Sequence, residues 1–162
     1  MEILQAHGMK VKKSKCLWGQ PRVEYLGHFI SSAGVEVVPA KVASMVRLPR
    51  SKMPKELRGF LRLTGYYRRF IQVYGKIATS LTALLRKGRF EWDNKAERAF
   101  EEFKQAMIEA PMLALPNFTK TFVVECDASR SGIGTILMQE GHSIAYMSKA
   151  LSQRLRQSSM YK

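Results

Sequence analysis

Four basic residues recur on one side of a predicted helix and are suited to binding phosphate groups. Residues 54–74 (PKELRGFLRLTGYYRRFIQVY) have the apolar period of a helix at about 100° per residue. The polar face of this helix carries Lys55, Arg58, Arg62 and Arg69, with Tyr66 among them. Such a face suits a nucleic-acid backbone, with arginines on phosphates and a tyrosine near a sugar or base. The competing interpretation is an ordinary solvated face, and a kink at Gly65 would rotate its second half.

A carboxylate near the end of a predicted strand is the second candidate for chemistry. In an extended TFVVECDAS, Asp127 and Glu125 share one face at a spacing of about 7 Å. Carboxylates bind Mg²⁺, and a pair of such ions activates water for hydrolysis, but this needs several carboxylates. Asp127 is therefore either a metal ligand near the end of a buried strand or a polar turn residue. Glu125 is either its helper or a solvated residue.

The other reactive residue types form no recognisable site. His7, His28 and His142 have no evident metal or nucleophile partners and are predicted to be structural or surface residues. Cys16 and Cys126 fit no zinc spacing and are predicted to be free thiols in a reducing compartment. The sequence contains no Walker A loop, GxGxxG motif or Ser–His–Asp order.

The net charge of +14 lies entirely in the first part of the chain. Residues 1–90 hold 18 Lys and Arg against 4 Asp and Glu, a net of +14, whereas residues 91–162 hold 9 against 9. This asymmetry favours a polyanionic partner for the first part and indicates a boundary near Phe90. We find no signal peptide and no apolar run near the roughly 20 residues of a membrane span, so we expect an intracellular protein, cytoplasmic or nuclear, without a membrane partner.

The sequence patterns of the helices and strands that carry these residues predict an α+β fold. A β-hairpin is expected from RVEYLGHFI and VEVV with a turn at SSAG, and Pro39 begins a short helix. The long helix 54–74 is expected to bury one arc and to be followed by a second helix after Gly75 that ends at Gly88. The arc comprises Leu57, Phe60, Leu61, Leu63, Tyr67, Phe70 and Ile71.

The second part predicts one helix, a linker and three strands. Asn94 and Glu97 have capping-box spacing for a helix over residues 95–109. The proline-punctuated APMLALPNFTK reads as a linker, and TFVVECDAS, GIGTILMQ and HSIAYMS read as antiparallel strands. Their turns are expected at residues 129–132 and 140–141, and residues 151–162 are expected to begin a helix or loop.

Four sequence blocks together resemble a known family. They are KCLWGQPRVEYLGHFIS, ELRGFLRLTGYYRRFI, FEWDNKAERAFEEFKQAMIEAPML, and FVVECDASRSGIGTILMQ followed by IAYMSKALS. In this order they resemble the pol polyprotein of Ty3/gypsy-type LTR retrotransposons over nearly the whole chain. The resemblance implies four parts: residues 1–38 as the end of a reverse transcriptase palm, 39–90 as thumb-like helices, 91–117 as a connecting helix and linker, and 118–162 as the start of an incomplete RNase H-like domain.

The resemblance also assigns roles to residues. It implies that Tyr25, Leu26, Gly27 and His28 belong to the hairpin that grips the primer strand, and that Asp127 is the first of four RNase H carboxylates. The intact family uses Mg²⁺ to make DNA from RNA and to degrade RNA in RNA–DNA hybrids. No Tyr-x-Asp-Asp motif occurs here, and Arg62 and Cys126 stand where the family usually has glycine and threonine.

These observations lead to a hypothesis of binding without catalysis. With one of the four RNase H carboxylates, the chain is not expected to hold Mg²⁺ stably or to cut RNA. It is expected to bind duplex or hybrid nucleic acid without sequence preference, alongside the rest of a pol polyprotein where one exists. The alternatives are an inert gene relic and a host-adopted interaction protein, and the sequence does not indicate an oligomeric state.

Overall fold

A computed structural model describes residues 2–86, 90–129 and 132–151. The predicted α+β fold is confirmed: two three-stranded antiparallel sheets are joined by a helical middle. The strands are β1 Arg22–Tyr25, β2 His28–Ser31, β3 Gly34–Val37, β4 Val123–Ala128, β5 Gly132–Gln139 and β6 His142–Ala150. The helices are α1 Glu2–Ala6, α2 Pro39–Val46, α3 Pro54–Tyr66, α4 Tyr74–Ala83 and α5 Asn94–Ile108, with 3₁₀ turns at Lys13–Lys15 and Arg68–Phe70. None of the described helices is long and apolar enough to cross a membrane.

The first sheet contains one strand more than the predicted hairpin. RVEYLGHFI is not a single strand, because the chain reverses at Leu26 and Gly27 so that Tyr25 pairs with His28. Both turn residues have positive φ, 49° and 78°. Positive φ at both central positions is the conformation of a type I′ turn, whose twist matches that of the strands it joins. The predicted return at residues 32–33 is confirmed, with Ser31 paired to Gly34.

The predicted long helix 54–74 is wrong in its second half. The amide of Tyr67 donates to the carbonyl of Thr64 (3.1 Å), a shorter-range bond that tightens and ends α3. A 3₁₀ turn follows, and Tyr67, Phe70 and Ile71 are all buried. All three side chains therefore reach the core, as predicted, but through a tightened turn instead of a continuous helix.

The second helix of the middle also begins earlier than predicted. Gly75 lies inside α4 instead of preceding it. Its amide donates to the Ser148 hydroxyl at 2.8 Å, and a Cβ at this position would lie 3.0 Å from the backbone of Ser148 and Lys149. Glycine is therefore required here because α4 and β6 approach each other at backbone distance.

Most of the predicted apolar arc faces the core. Leu57, Phe60, Tyr67, Phe70 and Ile71 are buried, and Leu61 is half-buried. Leu63 is exposed, contrary to prediction, and Thr64 is buried in the core instead. The Thr64 hydroxyl donates to the carbonyl of Phe60 at 3.1 Å, which satisfies its polar group.

The third long helix closes the core. α5 begins one residue earlier than predicted, and its cap is the Asp93 carboxylate, which accepts from the Ala96 amide at 2.8 Å. The predicted capping box at Asn94 and Glu97 is therefore wrong, and Glu97 instead accepts a hydrogen bond from the Trp92 indole. The buried face of α5 carries Phe100 and Phe103, whose ring centroids lie 4.6 and 5.9 Å from that of Phe60 in α3.

The segment predicted to be a linker is bonded to both sheets. Val35 and Leu113 exchange two backbone hydrogen bonds of 2.7 and 2.8 Å, and the Leu113 side chain is 1% exposed. The next amide, Ala114, donates to the carbonyl of Ser143 in β6 at 2.8 Å. Proline punctuation predicted a free connection, but Leu113 is a core residue that ties the two sheets together.

The second sheet has the predicted antiparallel order β4–β5–β6. The turn at Glu140 and Gly141 is confirmed, with φ of 50° and 76°. Buried Gln139 fixes the sheet to the preceding segment, since its amide accepts from Asn117 N and donates to the Asn117 and Lys120 carbonyls at 2.8–3.0 Å. The predicted turn at 129–132, the helix stop at Gly88 and the predicted element at 151–162 lie partly or wholly outside the described residues.

Replacement of Leu113 by alanine tests whether this segment is structural. We expect Leu113→Ala to lower the free energy of unfolding by about 2–5 kcal/mol, because a buried leucine leaves a cavity. Leu115→Ala is the matched control, since Leu115 is 46% exposed, and should cost less than about 0.5 kcal/mol. Equal effects in urea unfolding would mean that the segment is a loose linker after all.

Candidate nucleic-acid interface

The basic face of α3 is solvent-exposed, as its sequence predicts. Lys55, Arg58 and Arg62 all project from α3 as exposed side chains. Arg69 is also exposed, but it lies in the 3₁₀ turn beyond the helix, with its guanidinium 5.0 Å from the Phe70 ring centroid. The predicted single stripe is therefore divided: three of its charges lie on α3, and the fourth lies in the 3₁₀ turn that follows the helix.

Tyr66 joins the end of this basic face to the β1–β2 turn. Its hydroxyl donates a hydrogen bond of 2.7 Å to the carbonyl of Leu26, forty positions away, while half of its surface stays exposed (51%). Two sets of residues that the sequence assigned separately thus meet at one place: the basic helix face and the turn at 25–28.

The turn presents a strained and exposed tip. Leu26 has a φ of 49°, which is rare for a residue other than glycine, asparagine or aspartate. Its side chain and that of Tyr25 remain largely exposed. Backbone strain of this kind is retained where surrounding contacts over-determine the conformation, and it concentrates at functional positions.

Gly27 is held closely from beneath. A Cβ at this residue would lie 2.7 Å from the Tyr67 hydroxyl, and the Gly27 carbonyl accepts from the Val38 amide at 3.2 Å. The buried Tyr67 ring therefore supports the turn at the residue that has no side chain. Burial raises the pKa of the Tyr67 phenol, with smaller contributions from Tyr66 and Glu24.

His28 forms the centre of an aromatic cluster under the turn. Its ring centroid lies 5.3, 5.4 and 5.5 Å from those of Tyr66, Tyr67 and Phe70. Its Nε2 atom is buried and has no hydrogen-bond partner among the described residues. Desolvation lowers the pKa of this imidazole below its ordinary value, and the nearby Arg69 charge lowers it further, against backbone hydrogen bonding at Leu26 and Tyr25.

A cleft of about 460 Å³ opens beside this cluster. Its walls come from the turn, the end of α3 with Arg69, the segment 114–116 and the start of β6. The tip of the turn, Tyr66 and Arg69 share this cleft, so polar and aromatic groups surround one concave surface next to the basic helix.

Asp127 lies elsewhere and in a different environment from the predicted one. Every residue of β4 is exposed, so the expected buried strand is wrong. β4 is an edge strand of its sheet, and none of the described residues packs over it closely enough to bury any of its side chains. Asp127 and Glu125 line an open groove of about 610 Å³ together with Lys76 and Lys149.

This environment does not fit a metal pair. Within the described ranges no three His, Cys, Asp or Glu side chains gather as potential metal ligands. A two-metal centre needs several carboxylates to fix both ions and to offset their charge. Asp127 with Glu125 therefore provides too few ligands for such a centre in this part of the chain.

Sequence reasoning missed the residues that hold the turn. Tyr67 and Phe70 were assigned only to a core arc, although they pack on His28. The available signals were the aromatic pair in GYYRRF directly after the helix, and the Leu-Gly dipeptide inside an apparent strand.

Known proteins resemble the chain in sequence over most of its length. The family described as an RNase H-like domain found in reverse transcriptase matches residues 92–162. An uncharacterised mitochondrial protein of Arabidopsis thaliana is 46% identical over 125 residues, 76% of this chain and 79% of that protein. The retrovirus-related Pol polyprotein from transposon 297 of Drosophila melanogaster is 39% identical over 146 residues, 89% of this chain.

The chain is a homologue of retrovirus-related Pol polyproteins. It corresponds to a reverse transcriptase and RNase H-like region, which confirms the predicted resemblance at this level. The chain spans 14% of the length of the transposon 297 polyprotein.

Solved structures support the fold of this Pol region. The foamy viral protease-reverse transcriptase in complex with double-stranded DNA matches with a TM-score of 0.80 and 21% identity, over 86% of this chain and 30% of that one. Its complex with an RNA/DNA hybrid matches with a TM-score of 0.79 and 22% identity, over 85% of this chain and 20% of that one. At this identity the likeness establishes the architecture of the Pol region.

Replacement of Gly27 by alanine tests the support beneath the turn. An alanine in the left-handed backbone conformation costs roughly 1–2 kcal/mol. We expect Gly27→Ala to lower the free energy of unfolding by more than this, because the new Cβ would also clash with the Tyr67 hydroxyl. Gly19→Ala is the control, since Gly19 has a φ of 60° but nothing within 4 Å of its Cβ position. Adding Tyr67→Phe should recover the excess, and equal losses at Gly27 and Gly19 in thermal unfolding would contradict the close contact.

Proposed function

We propose that this Pol region, of Ty3/gypsy type, binds duplex or hybrid nucleic acid through its phosphate backbone without reading sequence. The observation that carries the proposal is the hydrogen bond from Tyr66 to Leu26, which places the β1–β2 turn at the end of the basic face of α3. A helix of fixed positive charge and a rigid exposed turn then act on one bound duplex. The interface comprises Lys55, Arg58, Arg62, Tyr66, Arg69 and the turn residues Tyr25, Leu26, Gly27 and His28.

Each part of this interface has a distinct role in the proposal. The exposed lysine and arginines neutralise phosphates and release counterions, which supplies most of the affinity of non-specific binding. Tyr25 and Leu26 lie exposed at the tip of the turn and contact the sugar-phosphate edge of one strand. The foamy viral protein, whose fold this region shares, has been solved with double-stranded DNA and with an RNA/DNA hybrid, which supports this class of partner.

The proposed division into parts follows the sequence blocks. Residues 1–38 are the end of a palm, 39–90 a thumb, 91–117 a connection and 118–162 an RNase H-like beginning. The family match from residue 92 includes α5 as well as the second sheet. Since α5 packs against α3 through Phe100 and Phe60, the thumb and the connection share one core.

The proposed activity is holding nucleic acid, without cutting it. The intact family uses Mg²⁺, and Asp127 would be its first RNase H ligand. Asp127 with Glu125 provides too few ligands for a metal pair within the described residues, so we propose that this chain by itself does not hold Mg²⁺ stably. The remainder of a pol polyprotein is the proposed partner that would supply further carboxylates.

Removal of three charges from the interface tests the binding proposal. Arg58, Arg62 and Arg69 changed together to glutamine should weaken binding to a short RNA–DNA hybrid, and should reduce the slope of log affinity against log salt by about 2–3. Fluorescence anisotropy at several salt concentrations measures both quantities.

A matched triple variant controls for net charge. Lys95, Arg98 and Lys120 are exposed basic residues away from α3; changing all three to glutamine removes the same charge. We expect this control to keep nearly the parent slope. Equal losses in the two triple variants would mean that binding follows net charge alone, and both proteins must first show the parent unfolding transition.

A cleavage assay tests the proposed lack of catalysis. The chain incubated with a labelled RNA–DNA hybrid and Mg²⁺ or Mn²⁺ should release no RNA fragments, because one or two carboxylates do not fix both ions. Asp127→Asn is the paired variant. Cleavage by the parent chain that disappears in Asp127→Asn would refute this part of the proposal.

A further inference from the structure

His28 differs from the other residues of the proposed interface in how it is placed. Its Nε2 atom is buried, whereas Tyr25 and Leu26 beside it are largely exposed. A buried nitrogen is not available to a phosphate of a bound duplex. Any effect of His28 on binding must therefore pass through the residues that its ring touches.

Two attachments of the turn converge on this ring. Tyr66, which packs on the His28 ring, donates to the Leu26 carbonyl at 2.7 Å. Tyr67, which also packs on the ring, places its hydroxyl beneath Gly27. The two tyrosine rings meet edge to face at 4.9 Å. The imidazole thus packs between the β1–β2 turn and the two tyrosine side chains that contact this turn.

We infer that His28 is a positioning residue: its neutral ring ties the β1–β2 turn to the end of α3, and protonation of this ring releases the turn and weakens nucleic-acid binding. The inference rests on the proposed function and assigns to it a regulation by pH. It concerns a side chain that the interface needs for its shape, not for a contact with the ligand.

The physical reason is the lack of an acceptor for a second ring proton. A protonated imidazole donates from both nitrogens, and a donor left buried without a partner costs about 1–3 kcal/mol, more when it is charged. Aromatic faces attract cations at close range, but the two tyrosines and Phe70 offer the buried nitrogen no hydrogen-bond acceptor in the described residues. The protonated ring avoids this cost only if its Nε2 proton reaches water, and that movement separates the ring from Tyr66 and Tyr67.

Among the neighbours of the ring, Arg69 lowers the pKa of His28, whereas hydrogen bonding at the Leu26 and Tyr25 backbone raises it. Tyr66 faces the ring from the end of α3, and Tyr67 faces it from the residue that follows the helix. Burial raises the pKa of the Tyr67 phenol. Arg69 lies beside the imidazole in the 3₁₀ turn and opposes a second positive charge. From β1, Tyr25 lines the same cleft, and Glu24 acts on the Tyr67 phenol.

The direction of the pH effect follows from the depressed pKa of His28. The attached form binds the proton less readily than an exposed histidine with the ordinary pKa of 6.5. The attachment is therefore fully present above pH 6.5, and it is lost as the pH falls from there through the lowered pKa of the attached ring. The backbone phosphates of the nucleic acid do not titrate in this range.

The sign of the effect on affinity separates this inference from simple electrostatics. Each histidine that becomes charged should strengthen binding to a polyanion. We expect the opposite: at constant salt, affinity for an RNA–DNA hybrid should fall roughly threefold or more between about pH 7.5 and about pH 5.5. Tighter binding on acidification would overturn the inference.

Two variants assign the effect to His28. His28→Phe keeps an aromatic ring without a titrating group and should flatten the pH dependence, whatever its affinity at neutral pH. His142→Gln is the matched control, since His142 is exposed at the start of β6 with Nδ1 at 3.0 Å from the Glu140 carbonyl oxygen, and it should keep the parent profile. A weakening on acidification that persists in His28→Phe would also overturn the inference.

A measurement on the free parent protein tests the attachment without any ligand or variant. The His28 ring signals followed by NMR should titrate below pH 6.5, and the Leu26 and Gly27 amide signals should shift at the same midpoint. A ring that titrates at or above 6.5 would refute the inference even where binding is observed. Conversely, loss of binding at neutral pH with an intact His28 titration would refute the proposed function and leave the attachment standing.

Discussion

The burial of Tyr67, Phe70 and Ile71 is the constraint from which the interface follows. In a continuous helix, Phe70 would lie about 140° around the axis from Leu57, at the edge of the predicted apolar arc. The chain ends α3 at Tyr66 and tightens into a 3₁₀ turn, after which all three side chains are buried. Tyr66 is left at the helix end with its hydroxyl directed at the β1–β2 turn. The same break that completes the core therefore places the turn beside the basic face.

The basic and neutral parts of the chain are joined by backbone contacts as well as by packed side chains. The bridge between Val35 and Leu113 attaches β3 to the segment before the second sheet, and Gly75 lets α4 lie against β6. The charge boundary near Phe90 is therefore a boundary of electrostatics but not of structure. Because α3, α4 and α5 share one core, the proposed binding of a duplex to α3 would be supported by all three helices.

Local patterns predicted the elements that depend on local physics. The proline at the start of α2, the helical period of α5 and the period-two strands of the second sheet are all confirmed, since each reflects propensity or burial within one segment. The misplaced features depend on distant partners. Leu26 adopts positive φ with its carbonyl held by Tyr66, and Leu113 is buried against Val35, neither of which local composition indicates. Asp93 displaced Asn94 as a cap because adjacent residues of similar capping preference are separated only by the backbone geometry at the helix start.

The two candidate sites differ in what a sequence pattern can say about them. A basic face needs only periodicity and charge, and the exposed Lys55, Arg58 and Arg62 follow from both. A metal centre needs several carboxylates in three dimensions, and a single aspartate on a strand does not determine whether others lie near it. For the same reason the charge pattern predicts a polyanionic partner but not the shape presented to it. That shape comes from the packing of His28, Tyr66 and Tyr67 beneath one strained turn, so the proposed interface assigns affinity and positioning to different residues.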